Sequence, residues 1–174
     1  MEETLALVVA TLAATLRVAT PLVLCAMGGL FSEKSGIIDV GLEGKMLMAA
    51  FFAAATASLT GSAWAGVGAA ILAAEMLALL HGFACITHRG NQVVSGIAIN
   101  ILAMGLTVVL GAAWFGRGGQ TPPLAGTERL NPIFFPVAGD NILVYAALLS
   151  VPFAWWLIER TRFGLRLRAV GEVP

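Results

Sequence analysis

The 174 residues carry zero formal net charge; 59% are hydrophobic and only 11% are charged. Soluble domains carry roughly 25% charged residues, so this chain lacks the charge to cover a water-facing surface. It also lacks the basic excess that nucleic-acid binding requires, and no nucleic-acid partner is expected.

The charges are clustered, leaving 46–74, 90–116 and 141–158 without any. A helix needs about 20 mostly apolar residues to cross the hydrocarbon core. The expected fold class is therefore all-α: a polytopic helix bundle of about five hydrophobic segments in a lipid bilayer. The chain opens on Glu2 and Glu3 rather than a basic stretch, which is unlike a cleaved secretory signal. Cys25 and Cys85 lie in or beside apolar stretches and read as packing residues.

In chain order, the first apolar stretch is 5–30, with Arg17 near its middle. Two readings stand: one long helix carrying a buried Arg17, or an interfacial helix 4–16 followed by a shorter insertion 18–30. A polar, glycine-bearing segment, 31–45, follows, with Glu33, Lys34, Asp39, Glu43 and Lys45. It is either an ordinary loop or a broken, re-entrant element lining a path. Irregular backbone at membrane depth is tolerated only where protein or water covers it. The next apolar stretch, 46–59, favours the second reading, since as a helix it spans only roughly 21 Å.

Thr60-Gly61-Ser62 breaks the chain before the span 63–83. Glu75 lies near its middle. An ionisable group at that depth is a functional candidate, or else a neutral acid or one half of a pair with Arg17. A polar bend, 87–92, precedes the span 93–115. The segment 116–140 is a Pro- and Gly-rich loop, 141–158 is the last span, and 159–174 is a basic tail.

Arg160, Arg162, Arg166 and Arg168 place that tail in the cytoplasm, because Lys and Arg concentrate on the inner side of membrane proteins. Alternation then puts 116–140 outside, 87–92 inside, 60–62 outside and 31–45 inside. The N-terminus is outside if 5–30 crosses once, and inside if that region is split.

Gln92, Gly96 and Asn100 recur every four residues and share one helix face, with Asn91 and Ser95 beside them. Amides both donate and accept, which suits a neutral ligand rich in hydroxyls and ring nitrogens. The competing reading is hydrogen bonding between spans. Together with Asp39 and Glu43, Asn91, Gln92, Ser95 and Asn100 are the candidate path residues. His81 and His88 lack a third ligand, so no metal is expected. The sequence has no G-x-x-x-x-G-K-[ST] loop and no H-E-x-x-H. No catalytic set converges, no cofactor is expected, and the chain reads as a transport subunit rather than an enzyme.

Gly28-Gly29-Leu30-Phe31-Ser32-Glu33-Lys34-Ser35-Gly36, then Gly41-Leu42-Glu43-Gly44 and Met46-Leu47-Met48, resemble inner-membrane permeases of bacterial nucleoside and simple-sugar ABC importers. These are related to the ribose and branched-chain amino-acid permeases. Asn91-Gln92-Val93-Val94-Ser95-Gly96 with Asn100 resembles the family's next block. The run from Arg160 through Arg162, Arg166, Arg168 and Gly171 to Glu172 resembles its following cytoplasmic block.

The resemblance implies a plasma-membrane permease subunit for a nucleoside or simple sugar. Its implied partners are a cytoplasmic ABC ATPase subunit, a second permease subunit and an extracytoplasmic solute-binding protein. Arg162, Arg166, Arg168, Gly171 and Glu172 are then the ATPase-proximal residues. Val173 stands where the family usually has Asn, and family members are much longer. A single transmembrane domain, 1–174, forming the N-terminal part of a longer permease and unable to pump alone, is the expectation. A secondary transporter or channel half is the alternative; it would want coupling-ion acids, for which Glu75 is the one candidate deep in a span.

Overall fold

A computed structural model describes residues 2–130 and 141–171. Every regular element among them is helical. Among the described residues, five helices are long and apolar enough to cross a membrane. The chain divides into two compact units, Met1–Gly36 with Asn131–Pro174, and Ile37–Leu130.

In the first unit, α1 (Glu2–Lys34) is one continuous helix, which settles the two readings of 5–30. Pro21 lies inside it without ending it. Its 33 residues extend for about 50 Å, more than the roughly 30 Å hydrocarbon core. Arg17 is exposed on it, among Leu12, Leu16 and Val18, and not buried as the one-helix reading expects.

α5 (Ile142–Arg160) packs against α1. The basic tail then turns at Thr161 into a short helix, α6 (Arg162–Gly171). Thr161 Oγ1 accepts from Gly164 N at 3.3 Å, capping α6. The charge pattern of this tail carries no span-length signal from which a helix would be expected. The end of α6 abuts the end of α1: a Cβ on Gly36 would sit 3.2 Å from Gly171 Cα.

The second unit holds α2 (Leu42–Thr60), α3 (Ala63–Gly82) and α4 (Gln92–Phe115). α3 and α4 are joined through a π-helical turn, Phe83–Thr87. α2 packs on both α3 and α4. Met48, Leu77, Ile99 and Ala103 form the buried core, with Phe52 against it. Phe51 and Phe52 of α2 meet Trp114 of α4, ring centroids 6.1 Å apart in each pair. The outer faces carry large apolar side chains such as Leu72, Met76, Ile101 and Val109, as lipid-facing helices do.

One expectation is corrected here. The irregular stretch is 35–41, narrower than the 31–45 read from the sequence. α2 has 19 residues rather than 14, about 29 Å, so it is not a short segment. Glu33 and Lys34 extend α1, while Glu43 sits in the first turn of α2, where a carboxylate suits the helix dipole. Lys45 enters α2 because its charge is neutralised by Asp39.

Candidate functional site

The site forms where the segment after Gly36 meets α4. Backbone with no helical partners must find others when buried. α4 supplies them from one face. Gln92 Oε1 accepts from Ile38 N at 2.7 Å. One turn on, Gly96 lets the chain approach: a Cβ there would come within 2.8 Å of Gly41 N. A further turn on, Asn100 Nδ2 donates to Val40 O at 3.1 Å, and its Oδ1 accepts from Gly44 N at 2.7 Å. Gly44 is equally constrained, since its Cβ would lie 2.8 Å from Asn100 Cα. The i, i+4, i+8 face of α4 is thus a template along which 38–44 is laid.

Beneath this segment lies a buried polar cluster. Asp39 Oδ1 accepts from Gly41 N at 3.0 Å, and Asp39 Oδ2 is paired with Lys45 Nζ. Both side chains are only 9% exposed. His81 of α3 is buried, with Nε2 3.8 Å from Asp39 Oδ1 and Nδ1 3.1 Å from Ser95 Oγ. Cys85 Sγ lies 3.7 Å from His81 Nε2. A buried charge pair is tolerable only with good geometry and further hydrogen bonds, and Gly41 N provides one.

Of the six candidate path residues, five belong to this region. Asp39, Gln92, Ser95 and Asn100 hold the segment or the cluster beneath it. Asn91 caps α4, its Oδ1 accepting from Val93 N at 3.0 Å and Val94 N at 3.1 Å. Glu43 is not brought in: it is exposed, with no partner among the described residues. Sequence reasoning missed Lys45 and His81. The signal for Lys45 was its spacing from Asp39, and for His81 a lone histidine two positions before the end of an apolar run. Glu75 is exposed on α3. Among the described residues no three His, Cys, Asp or Glu side chains are placed to hold a metal ion.

A groove of about 440 Å³ opens beside this cluster, between the end of α3 and α4. Leu80 and Ala84 form one wall, and Val94, Ala98 and Leu102 the other. Asn91 and Ser95 bring the polar groups into it.

In the first unit, the ATPase-proximal candidates fall on α6. Arg162 and Arg166 are exposed. Arg168 Nη1 lies 3.4 Å from Glu159 Oε2, and Arg160 stacks 5.8 Å from the Trp155 ring centroid. Gly171 closes α6 against α1, and Glu172 lies outside the described residues.

Residues 11–174 match the family described as "Branched-chain amino acid transport system / permease component". The chain belongs to that permease family. It is 36% identical over 182 residues to a guanosine ABC transporter permease of Bacillus subtilis, covering 92% of this chain and 55% of the relative. It is 34% identical over 171 residues to a nucleoside ABC transporter permease of Lactococcus lactis, covering 89% of this chain and 53% of the relative. A Haloferax volcanii protein, named provisionally as a glucose ABC transporter permease, is 36% identical over 171 residues; that match covers 92% of this chain and 51% of the relative. The chain spans about half the length of these curated relatives. No solved structure matches it. Membership of this permease family and five membrane-length helices make it a multi-pass membrane protein.

Proposed function

We propose that the chain is part of the permease subunit of an ABC importer, and that it lines the route of a nucleoside or simple sugar across the plasma membrane. The observation that carries this reading is the polar break at 35–41 between two membrane-length helices, with its backbone satisfied by Gln92 and Asn100. Irregular backbone whose polar groups are satisfied within the protein can line a path without exposing them to lipid. The names of the relatives, for guanosine, nucleosides and glucose, support the solute class.

Energy comes from a separate cytoplasmic ABC ATPase subunit. A second permease subunit completes the path, and an extracytoplasmic solute-binding protein delivers the solute. α6 and its arginines face the cytoplasm near the ATPase, as the inner-side preference of Lys and Arg supports. The loop 116–140, of which 131–140 lie outside the described residues, is assigned outward, toward the binding protein. Asn91, Gln92, Ser95, Asn100 and Asp39 belong to the translocation region; Glu43, exposed on the first turn of α2, lies at its edge.

Co-purification tests the assembly. The full-length protein should bring down an ABC ATPase whose hydrolysis rises when solute-loaded binding protein is added. A protein that purifies with no ATPase, and transports on an ion gradient instead, would overturn the reading.

A further inference from the structure

Glu75 lies midway along its span, the 25-residue stretch Ala63–Thr87. Its Cα is about 18 Å from either end, at the depth of the bilayer midplane. The side chain is exposed on the outer face of α3, with no hydrogen-bond or ion-pair partner among the described residues. Lys and Arg at such depth extend toward the interface, but a glutamate side chain is too short to do so. Ionised or protonated, a carboxyl needs hydrogen-bond partners that acyl chains do not supply. Acids within spans therefore face protein or water rather than lipid.

The same stripe carries two glycines that packing within this unit does not require. Gly68 and Gly82 stand two turns before and two turns after Glu75, on one face of α3. A Cβ on Gly68 would meet nothing within 4 Å, and one on Gly82 only Ile86 Cδ1 at 3.9 Å. Gly66 is different: its Cβ would lie 2.5 Å from Ala53 O, so α2 requires it. Glycine weakens a helix relative to alanine, and in spans it lets a neighbouring helix come close.

We propose that the Gly68–Glu75–Gly82 stripe is a docking face for a further transmembrane helix, one that offers Glu75 a hydrogen-bond donor at mid-membrane depth. That helix belongs to the rest of the same permease. The chain spans about half the length of its curated relatives, so a permease of that size has as much again to place around this unit. Complementarity disfavours the other occupants. Lipid offers the carboxyl no donor. A second copy meeting the stripe symmetrically sets Glu75 against Glu75, acid against acid. The inference needs only a multi-pass permease and is independent of the solute and of the energy source.

The test uses the intact permease and reads its membrane abundance and its lipid contacts. Glu75→Leu leaves the donor of the docked helix unpaired and should lower abundance severalfold. Glu75→Gln keeps an acceptor and should lose less. Gly68→Leu blocks close approach and should also lower abundance. A stripe facing lipid predicts the opposite, since both leucines suit acyl chains. Abundance that is unchanged or raised in Glu75→Leu would overturn the inference. Second-site substitutions that rescue Glu75→Leu should replace a polar side chain by an apolar one in the permease outside 1–174. Rescue that maps only within 1–174, or to another subunit, would also overturn it.

A second readout does not depend on folding yield. In a cysteine-free background, a fluorophore is attached at Leu79→Cys, beside the stripe, or at Ile101→Cys on α4, and the permease is placed in brominated lipid. The label at Leu79→Cys should lose less than half the fluorescence lost at Ile101→Cys. Equal quenching would show lipid on the stripe and overturn the inference. Oxidation of Gly68→Cys to a disulfide between two permease copies would name a second copy as the occupant and overturn it too. None of these outcomes bears on ATP-driven uptake, so the importer reading stands or falls separately.

Discussion

Asn100 grips α2 through Gly44: its Oδ1 accepts from Gly44 N at 2.7 Å while the same amide donates to Val40 O at 3.1 Å. One side chain on α4 therefore satisfies both a first-turn N–H of α2 and a carbonyl of the segment before it. Such groups have no intrahelical partner. Leucine has similar volume and neither function. Asn100→Leu should leave both backbone groups unpaired and destabilise the second unit by about 2–4 kcal/mol. Asn100→Asp keeps the acceptor and should lose less. Membrane abundance and thermal unfolding of the solubilised protein check this. Full abundance and unchanged unfolding in Asn100→Leu would mean that the amide does not pin the segment.

The Asp39–Lys45 pair calls for a double-mutant cycle. Removing one partner leaves a buried charge uncompensated, typically at about 3–5 kcal/mol. Asp39→Asn or Lys45→Met alone should sharply lower abundance. The double variant should recover most of it, because replacing both members of a buried pair is often neutral. Additive losses would show that the two side chains act separately.

Topology gives a third prediction. Arg166 is exposed on α6, and Gly118 is exposed just after α4. Gly118→Cys should react with an impermeant thiol reagent on intact cells. Arg166→Cys should react only after the membrane is opened. The reverse pattern would invert the orientation assigned from the arginines.

Much of this architecture is legible in the sequence because lipid imposes a simple rule: charge-free runs of span length become helices. That rule located α3, α4 and α5 closely. It failed at 31–45, where charge was read as irregular backbone. Glu33 and Lys34 extend α1, and Lys45 is helical because Asp39 pairs with it, a tertiary fact that no local pattern carries. The shared face of Gln92, Gly96 and Asn100 follows from helical periodicity. Its target, the backbone of 38–44, does not, because the hydrogen bonds join residues 54 to 60 apart. The role of His81 is not legible in the sequence, because its neighbours Asp39 and Ser95 meet it only in three dimensions. The helix α6 is not legible in the sequence because its 10 residues are too few and too charged to register as a span.

An ATP-driven importer of nucleosides or sugars is the function proposed for the assembly to which this chain belongs. The most direct measurement is accumulation of labelled guanosine and glucose in vesicles holding the full-length permease, its ATPase and its solute-binding protein. Uptake of one of them should require internal ATP, persist when ion gradients are collapsed, and fall in Gln92→Leu beyond any fall in protein amount. Uptake that needs no ATP and stops when the ion gradients are dissipated would contradict the account.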